Sequence, residues 1–170
     1  NCSGKDPKTV MKEAEPVFVF CCVWAFGSCM AEKDGVDYRK EFSEWWKGAF
    51  KSVKFPSRET VFDYFLDAEG KLDLWKNCAA YFYSIDYEST TPMTHVTVPT
   101  PETASVAHWL DMLVGRGKPV MLVGSAGCGK TQLVNGLLGK LNTDKMLNQV
   151  CNFNFYTNAI KLQAVLESPL

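Results

Sequence analysis

The feature that most constrains this chain is an apolar run that leads directly into a glycine-rich loop. "PVMLV" (119–123) is followed at once by "GSAGCGKT" (124–131), and then by apolar residues at the three- and four-residue spacing of a helix face. A continuous apolar run is typical of a strand covered on both faces in a parallel sheet. The order strand, glycine loop, helix therefore predicts an α/β fold with a phosphate-binding loop.

Each fixed position of the pattern GxxxxGK[ST] has a physical role in such a loop. Gly124, Gly127 and Gly129 permit backbone conformations and close approaches that a Cβ forbids, so successive N–H groups can point at phosphate oxygens. The helix that opens at Lys130 adds the positive end of its dipole. The Lys130 ammonium reaches the β- and γ-phosphates, and the Thr131 hydroxyl is placed to ligate Mg²⁺. We therefore predict a cradle for the phosphates of a nucleotide and its Mg²⁺.

The loop and the first turn of its helix make up the main set of candidate cofactor-binding residues. They are Gly124, Ser125, Ala126, Gly127, Cys128, Gly129, Lys130, Thr131 and Gln132, with Thr131 as the metal ligand. The Cys128 thiol stands beside the predicted phosphates and has two interpretations. It is either a redox-active thiolate favoured by the N–H dipoles or, more simply, a bystander at a position that tolerates many residues.

Hydrolysis of a nucleotide needs more than a phosphate cradle. In-line attack by water requires an acid on a neighbouring strand to organise Mg²⁺ and the nucleophile, usually with an arginine from elsewhere. No apolar strand ending in Asp follows "FYT" (155–157) in this sequence. We therefore predict no catalytic residue within this chain.

Three polar residues outside the loop have no partner in the sequence that indicates chemistry. His95 and His108 lack neighbours that would suggest a catalytic triad or a metal site, so we expect surface or helix-capping roles for both. Asp111 lies near the end of a predicted helix, and we interpret it as a solvated acid.

The first half of the chain is predicted to be mostly helical. Residues 16–31 are apolar nearly all round, which at this length indicates a helix buried among others, and "EKDG" (32–35) breaks it. From Asp37 a second, amphipathic helix is predicted. Its aromatic stripe is interpreted as core rather than as an exposed docking face, and comprises Tyr38, Phe42, Trp45, Trp46, Ala49, Phe50 and Val53.

A β-hairpin is predicted next, from about Val61 to Trp75. Aromatic and β-branched residues flank "DAEGK" (67–71), in which Gly70 can take the positive φ of a turn. The composition then becomes irregular and polar, which makes residues 86–95 the candidate boundary between two modules.

The second half repeats a different order of elements. Thr100 as N-cap, Pro101 at the first helical position and an acid after it predict a helix start, and "GRGK" (115–118) predicts its end. After the strand, loop and helix of the glycine-rich motif, residues 149–157 alternate like a second strand and 158–168 repeat like a second helix. This order predicts the start of a doubly wound parallel sheet.

Composition excludes several classes of partner. Eighteen basic and nineteen acidic residues give a formal net charge of −1 and are interspersed, so we predict no nucleic-acid partner and no membrane surface. The most apolar stretch, residues 17–31, is shorter than the roughly 20 residues of a membrane-spanning helix. Seven cysteines in no CxxC pair indicate buried thiols in a reducing cytoplasm. The sequence reads as an internal piece of a longer protein.

Five separated blocks give the chain a resemblance that is more specific than the phosphate loop alone. Together they resemble a dynein heavy chain of the axonemal kind, at the junction of its second and third AAA+ modules. The blocks are "PVFVFCCVWAFG" (16–27), "DYRKEFSEWWK" (37–47), "VKFPSRETVFDYF" (53–65), "PVMLVGSAGCGKT" (119–131) and "FNFYTNAIKLQAVLESPL" (153–170).

The resemblance implies a division of the chain and a second part of the nucleotide site. Residues 1–92 would form the C-terminal, mostly helical small subdomain of the second module, with its hairpin, and 93–170 the first half of the third module. Val98, Pro99 and Thr103 would contact the adenine base. A strand-to-helix turn with a proline at the first helical position explains the same three residues without a ligand.

The resemblance also implies a function for the full-length protein. Dynein heavy chains are ATP-driven, minus-end-directed microtubule motors, and the third module binds nucleotide and gates the motor. The implied partners are microtubules through a distant stalk, neighbouring AAA+ modules, and dynein intermediate and light chains. The implied location is the cytoskeleton of the cytoplasm, in the axoneme of a cilium or flagellum.

Two other functions are compatible with the phosphate loop by itself. One is a stand-alone P-loop enzyme, such as a small kinase or another NTPase. The other is a binding module in which the nucleotide is purely structural. The residues of the loop alone do not separate these hypotheses.

Overall fold

A computed structural model of the protein describes residues 6–56, 58–81, 98–141 and 146–169. The chain divides into two compact units, Asn1–Val120 and Met121–Leu170. The first unit contains α1 (Pro7–Gly27), β1 (Glu32–Lys33), β2 (Val36–Asp37), α2 (Tyr38–Ala49), a short 3-10 helix (Val61–Asp63), β3 (Tyr64–Leu66), β4 (Leu72–Leu74), a second 3-10 helix (Trp75–Asn77) and α3 (Pro101–Val114). The second unit contains α4 (Lys130–Leu138) and α5 (Ala159–Glu167).

Helix α1 confirms the predicted helix but is longer and buries one side only. It begins at Pro7, so Pro16 lies inside the helix rather than in its first turn. Its buried residues are Val19, Phe20, Val23, Trp24 and Gly27. Phe18 and Phe26 are 69% and 65% exposed, so the expectation of burial nearly all round is wrong. The described first unit packs against a single face of this helix.

The predicted break at residues 32–35 is a tight hairpin. Glu32 pairs with Asp37 and Lys33 with Val36 in an antiparallel ladder. Asp34 and Gly35 have φ values of 53° and 78°, the left-handed conformations that a two-residue type I′ turn requires, and Asp-Gly is a preferred sequence for it. The turn leads directly into α2.

Helix α2 begins where the sequence predicts. The Asp37 carboxylate caps it by accepting hydrogen bonds from the backbone N–H groups of Arg39 and Lys40, at 3.1 and 3.2 Å. The aromatic stripe is only partly core, because Phe42 and Trp46 are buried whereas Trp45 is 57% exposed. The interpretation of the whole stripe as core is therefore wrong at its outer positions.

The predicted hairpin is confirmed as β3 and β4, which pair antiparallel with Tyr64 opposite Leu74. The Asp67 carboxylate organises its turn by accepting from the backbone N–H groups of Glu69 and Lys71, at 2.8 and 2.9 Å, and Gly70 has a φ of 77°. These contacts are local, which explains why the sequence pattern predicted the hairpin.

The core of the first unit is aromatic and centres on Trp75, which is 1% exposed. Its indole N–H donates to the backbone carbonyl of Phe62 at 3.0 Å. Trp24 meets both Phe62 and Trp75 edge to face, with ring centroids 5.7 and 6.4 Å apart. Gly27 lets α1 approach this cluster closely, because a Cβ built there would lie 2.4 Å from Cζ of Phe62.

Helix α3 is the last helix of the first unit. Thr100 caps it as predicted, accepting from the backbone N–H of Thr103 at 3.2 Å. Its Trp109 ring stacks on Phe20 of α1, with centroids 5.3 Å apart and planes 14° from parallel. The predicted module boundary at 86–95 lies outside the described residues.

The second unit differs from the prediction in its strands. α4 begins at Lys130 as predicted, and α5 lies within the predicted 158–168. The segments predicted as strands, 119–123 and 149–157, carry no strand in the described part of this unit or in the residues that lead to it. A parallel strand is formed by hydrogen bonds to neighbouring strands, and apolar side chains expected inside a sheet, Met121, Val123 and Phe155, are 84%, 83% and 95% exposed. The described residues do not confirm the doubly wound sheet, which stays a prediction.

Candidate nucleotide-binding site

The backbone of the glycine-rich loop has the conformations that its sequence predicts. Gly127 and Gly129 have φ values of 79° and 83°, which a residue with a Cβ rarely adopts. Gly129 is also the N-cap of α4. The loop thus ends at a helix N-terminus, where free N–H groups and the helix dipole favour an anion.

Gly124 has a different reason to be glycine. A Cβ built at Gly124 would lie 3.0 Å from the Sγ atom of Cys128, closer than side chains normally approach. The missing side chain allows the thiol of Cys128 to lie against the first residue of the loop. Gly124 and Cys128 therefore lie close together within the loop.

The Lys130 side chain folds back over the loop that precedes it. Its ammonium donates hydrogen bonds to the backbone carbonyls of Gly124 and Ser125, at 2.9 and 2.6 Å. It also donates to the Sγ atom of Cys128 at 3.3 Å. The positive charge thus sits among the loop residues, where a phosphate group of the predicted ligand would meet it.

Thr131 and Gln132 follow in the first turn of α4 and are exposed. A hydroxyl oxygen suits Mg²⁺, which prefers oxygen ligands and takes most of the others from phosphates and water. Within the described residues there is no group of three or more His, Cys, Asp or Glu side chains that could hold a metal ion. Ligation of Mg²⁺ by Thr131 stays a prediction.

The three residues predicted to contact the adenine base, Val98, Pro99 and Thr103, belong to the first unit. The glycine-rich loop, 124–131, belongs to the second. Val98 is 61% exposed. Thr103 is engaged in the cap of α3, where its hydroxyl accepts from the N–H of Thr100 at 2.7 Å and donates to the carbonyl of the same residue at 3.0 Å. Pro99 directly precedes this cap. Capping alone accounts for Thr103, and base contact stays a prediction for all three residues.

Two polar residues of α3 are not the surface groups expected from the sequence. Asp111 is partly buried and its carboxylate accepts a hydrogen bond from the Tyr81 hydroxyl at 2.9 Å. His108 is partly buried among rings, with centroids 5.2 Å from Trp75 and 6.1 Å from Tyr81. Burial lowers the pKa of His108, and the Asp111 carboxylate opposes that change. No sequence signal pointed to Tyr81, because it lies 30 residues from its partner Asp111. The other histidine, His95, falls outside the described residues.

The described cysteines are more exposed than expected. Cys78 is buried, but Cys21, Cys29 and Cys128 are exposed, and the six described cysteines form no disulfide with one another. The expectation of buried thiols is wrong for these three: Cys21 lies on the exposed side of α1, Cys29 just after that helix, and Cys128 in the exposed glycine-rich loop. No helix in the described part of the chain is long and apolar enough to cross a membrane.

Two protein families match consecutive parts of the chain. Residues 2–77 match the dynein heavy chain AAA lid domain. Residues 85–170 match the P-loop containing dynein motor region, which includes the whole glycine-rich loop. The two matches bear out the resemblance drawn from the five blocks, and they remove the ground for a stand-alone P-loop enzyme.

Individual relatives agree with the family matches. The chain is 46% identical over 156 residues to the dynein alpha chain, flagellar outer arm, of Chlamydomonas reinhardtii. It is 45% identical over 157 residues to dynein axonemal heavy chain 17 of Homo sapiens, and 48% identical to the ciliary dynein beta chain of Tripneustes gratilla. Each alignment covers 92% of this chain.

The chain spans only 3% to 4% of the length of these relatives. The two matched segments nevertheless follow one another along the chain, the lid at 2–77 and the P-loop motor region, which includes Lys130, at 85–170. A dynein motor region of this P-loop type belongs to the nucleotide-binding α/β proteins of the AAA+ class. The chain therefore belongs to the dynein heavy chain family, among relatives named as axonemal, ciliary or flagellar.

Proposed function

We propose that residues 124–132 bind the phosphates of an adenine nucleotide, ATP or ADP, and that Thr131 ligates its Mg²⁺. The observation that carries this proposal is the Lys130 ammonium folded over the loop at the start of α4, 2.9 Å from the carbonyl of Gly124. Two glycines with positive φ, Gly127 and Gly129, support it because at these two positions no side chain hinders the approach of a phosphate to the backbone N–H groups. Bound Mg²⁺ would neutralise phosphate charge at the Thr131 hydroxyl.

The rest of the pocket is proposed from the family rather than from the described geometry. Val98, Pro99 and Thr103 contact the adenine, and residues 93–170 form the first half of a third AAA+ module. In the full-length protein the segments 119–123 and 149–157 are strands of a doubly wound parallel sheet, completed by strands from elsewhere in the chain. Residues 1–92 are the small helical subdomain of the second module. The exposure of Met121, 84%, is consistent with a surface that another strand covers.

The full-length protein is proposed to be an ATP-driven, minus-end-directed microtubule motor of the axoneme in cilia or flagella. Relatives named as flagellar outer arm, axonemal and ciliary dyneins support that location. Its partners are microtubules, the neighbouring AAA+ modules, and intermediate and light chains. The nucleotide in this module acts as a regulatory switch, because its binding free energy biases how adjacent modules pack.

This segment contributes binding rather than bond breaking. The acid that organises Mg²⁺ and the attacking water in P-loop NTPases comes from a further strand. In the sequence after "FYT" (155–157), no apolar run is followed by Asp. We therefore assign no catalytic residue to this chain.

The test uses the full-length heavy chain and an adenine nucleotide that carries a photoreactive azido group on its base. After irradiation, labelled peptides are identified by mass spectrometry. We expect label on the peptide that contains Val98 to Thr103, and we expect Lys130→Ala to remove it because the ammonium no longer holds the phosphates.

The control is Lys118→Ala, since Lys118 is an exposed lysine that precedes the apolar run. This variant should keep the wild-type label. If the peptide that contains residues 98–103 were labelled equally in the Lys130→Ala and wild-type chains, nucleotide binding by this loop would be contradicted. Label that depends on Lys130 but falls on peptides other than 98–103 would contradict the assignment of the adenine contacts.

A further inference from the structure

The ammonium group of Lys130 is saturated by the loop itself. A lysine ammonium has three N–H donors and no acceptor. Its three acceptors here are the carbonyl of Gly124 at 2.9 Å, the carbonyl of Ser125 at 2.6 Å and the Sγ atom of Cys128 at 3.3 Å. A phosphate oxygen that pairs with this lysine must therefore replace one of them.

The three acceptors are unequal. Carbonyl oxygens accept strongly, whereas a thiol sulfur is a weak acceptor. The acceptor of Cys128 is a side-chain atom, so a substitution can replace it. Gly124 and Ser125 accept through their backbone carbonyls, which remain when the side chain is changed. The thiol of Cys128 is held close to Gly124, where a Cβ would come within 3.0 Å of Sγ. The weakest of the three bonds is thus the one made by a side chain.

From this inequality we infer that Cys128 is a positioning residue whose weak acceptor leaves the Lys130 ammonium available to a phosphate oxygen. Its thiol holds the third N–H of Lys130 until a phosphate oxygen takes that hydrogen bond. The exchange costs little because the bond it breaks is weak, and the bond it makes is charge-assisted. This inference rests on the proposed nucleotide site and describes its regulation.

The inference predicts different results for two small substitutions. In Cys128→Ser the hydroxyl is a stronger acceptor of similar size, so it holds Lys130 more firmly and weakens nucleotide binding by roughly three- to tenfold. In Cys128→Ala the weak bond is replaced by contact with water at an exposed site, so affinity stays within about twofold of wild type or improves. A role in packing alone predicts that alanine, which removes the sulfur, weakens binding more than serine does.

The measurement is a competition assay on the full-length heavy chain. Increasing unlabelled ADP displaces the azido nucleotide, and the labelled peptide is quantified for each variant. Cys29→Ser and Cys29→Ala are the matched controls, because Cys29 is also exposed but lies outside the loop. Both controls should give the wild-type midpoint.

Weaker binding in Cys128→Ser together with unweakened binding in Cys128→Ala supports the inference. An unchanged midpoint in Cys128→Ser, or an alanine variant that binds as weakly as the serine variant, overturns it. These failures differ from failure of the proposed function, which is read separately as retained labelling in Lys130→Ala.

Discussion

The Tyr81 hydroxyl donates a hydrogen bond to the Asp111 carboxylate at 2.9 Å. Burial raises the pKa of Tyr81, and the hydrogen bond to Asp111 raises it further. This bond ties the turn after the second 3-10 helix to α3, the helix that precedes the glycine-rich loop in sequence. Asp111 lies in the segment matched as a P-loop motor region, 85–170, and Tyr81 lies between that segment and the one matched as a dynein lid, 2–77.

We expect Tyr81→Phe to lower the free energy of unfolding by about 1 kcal/mol, because a partly buried carboxylate loses a donor. Urea unfolding of the chain, followed by tryptophan fluorescence, measures the change. Tyr38→Phe is the control, since Tyr38 is 46% exposed, and it should leave the stability within a few tenths of a kcal/mol. Equal stability of Tyr81→Phe and wild type would show that the bond contributes nothing.

His108 predicts a loss of stability in mild acid. Burial lowers the pKa of its imidazole in the folded chain, so the unfolded chain, with a pKa of about 6.5, takes up a proton first. Stability is therefore lost as the pH falls below about 6.5 and levels off below the folded pKa. Unfolding measured at about pH 7.5 and 5.5 should show a larger loss for wild type than for His108→Phe, which keeps a ring but cannot titrate.

The carboxyl groups of the chain titrate in both wild type and His108→Phe. The difference between their losses of stability is therefore due to His108. An identical loss in wild type and His108→Phe would contradict a lowered pKa. A smaller loss in wild type would mean that Asp111 dominates over burial.

Gly27 predicts a steric penalty at the end of α1. A Cβ there would lie 2.4 Å from Cζ of Phe62 and 3.0 Å from Cε1 of Phe42. Gly27→Ala should therefore destabilise the first unit by about 1–3 kcal/mol through overpacking. Chemical denaturation of the variant measures this change.

Gly48→Ala is the matched control, since Gly48 is also helical and has no atom within 4 Å of a built Cβ. Alanine should stabilise that helix by roughly 0.5–1 kcal/mol. If Gly27→Ala were also stabilising, the close packing of α1 on Phe62 would be contradicted.

The elements that could be predicted from the sequence are those fixed by nearby residues. The hairpin of β3 and β4 depends on Asp67 and Gly70 within its own turn, and α4 begins directly after the glycines of the loop. The caps Asp37 and Thr100 also act within three residues. Such contacts are visible in the sequence as residue types at fixed spacings.

The features that could not be predicted depend on contacts far apart in sequence. The first turns of α1, which begins at Pro7, are polar, so the apolar pattern did not indicate where the helix starts. The hydrogen bond from Tyr81 to Asp111 joins residues that are 30 positions apart. The exposed sides of α1 and α2 were missed because apolar spacing does not say what covers a helix. The strands predicted at 119–123 and 149–157 need neighbours for their hydrogen bonds.

Within the candidate site, the sequence predicted the glycines, Lys130 and its position at the helix start. It did not predict that the ammonium would find three acceptors in its own loop. Side-chain direction in a loop follows from its backbone geometry, which residue spacing does not specify. Cys128 was therefore interpreted as a bystander, although its sulfur contacts the lysine.

The central claim is that nucleotide held by Lys130 regulates a microtubule motor. The direct test is the gliding velocity of microtubules on full-length wild-type and Lys130→Ala heavy chains, with loss of the photolabel at residues 98–103 verified in the variant. We expect gliding to slow several-fold, because a module without nucleotide no longer passes its state to its neighbours. Wild-type gliding by a chain that has lost this nucleotide would contradict the claim and make the nucleotide purely structural.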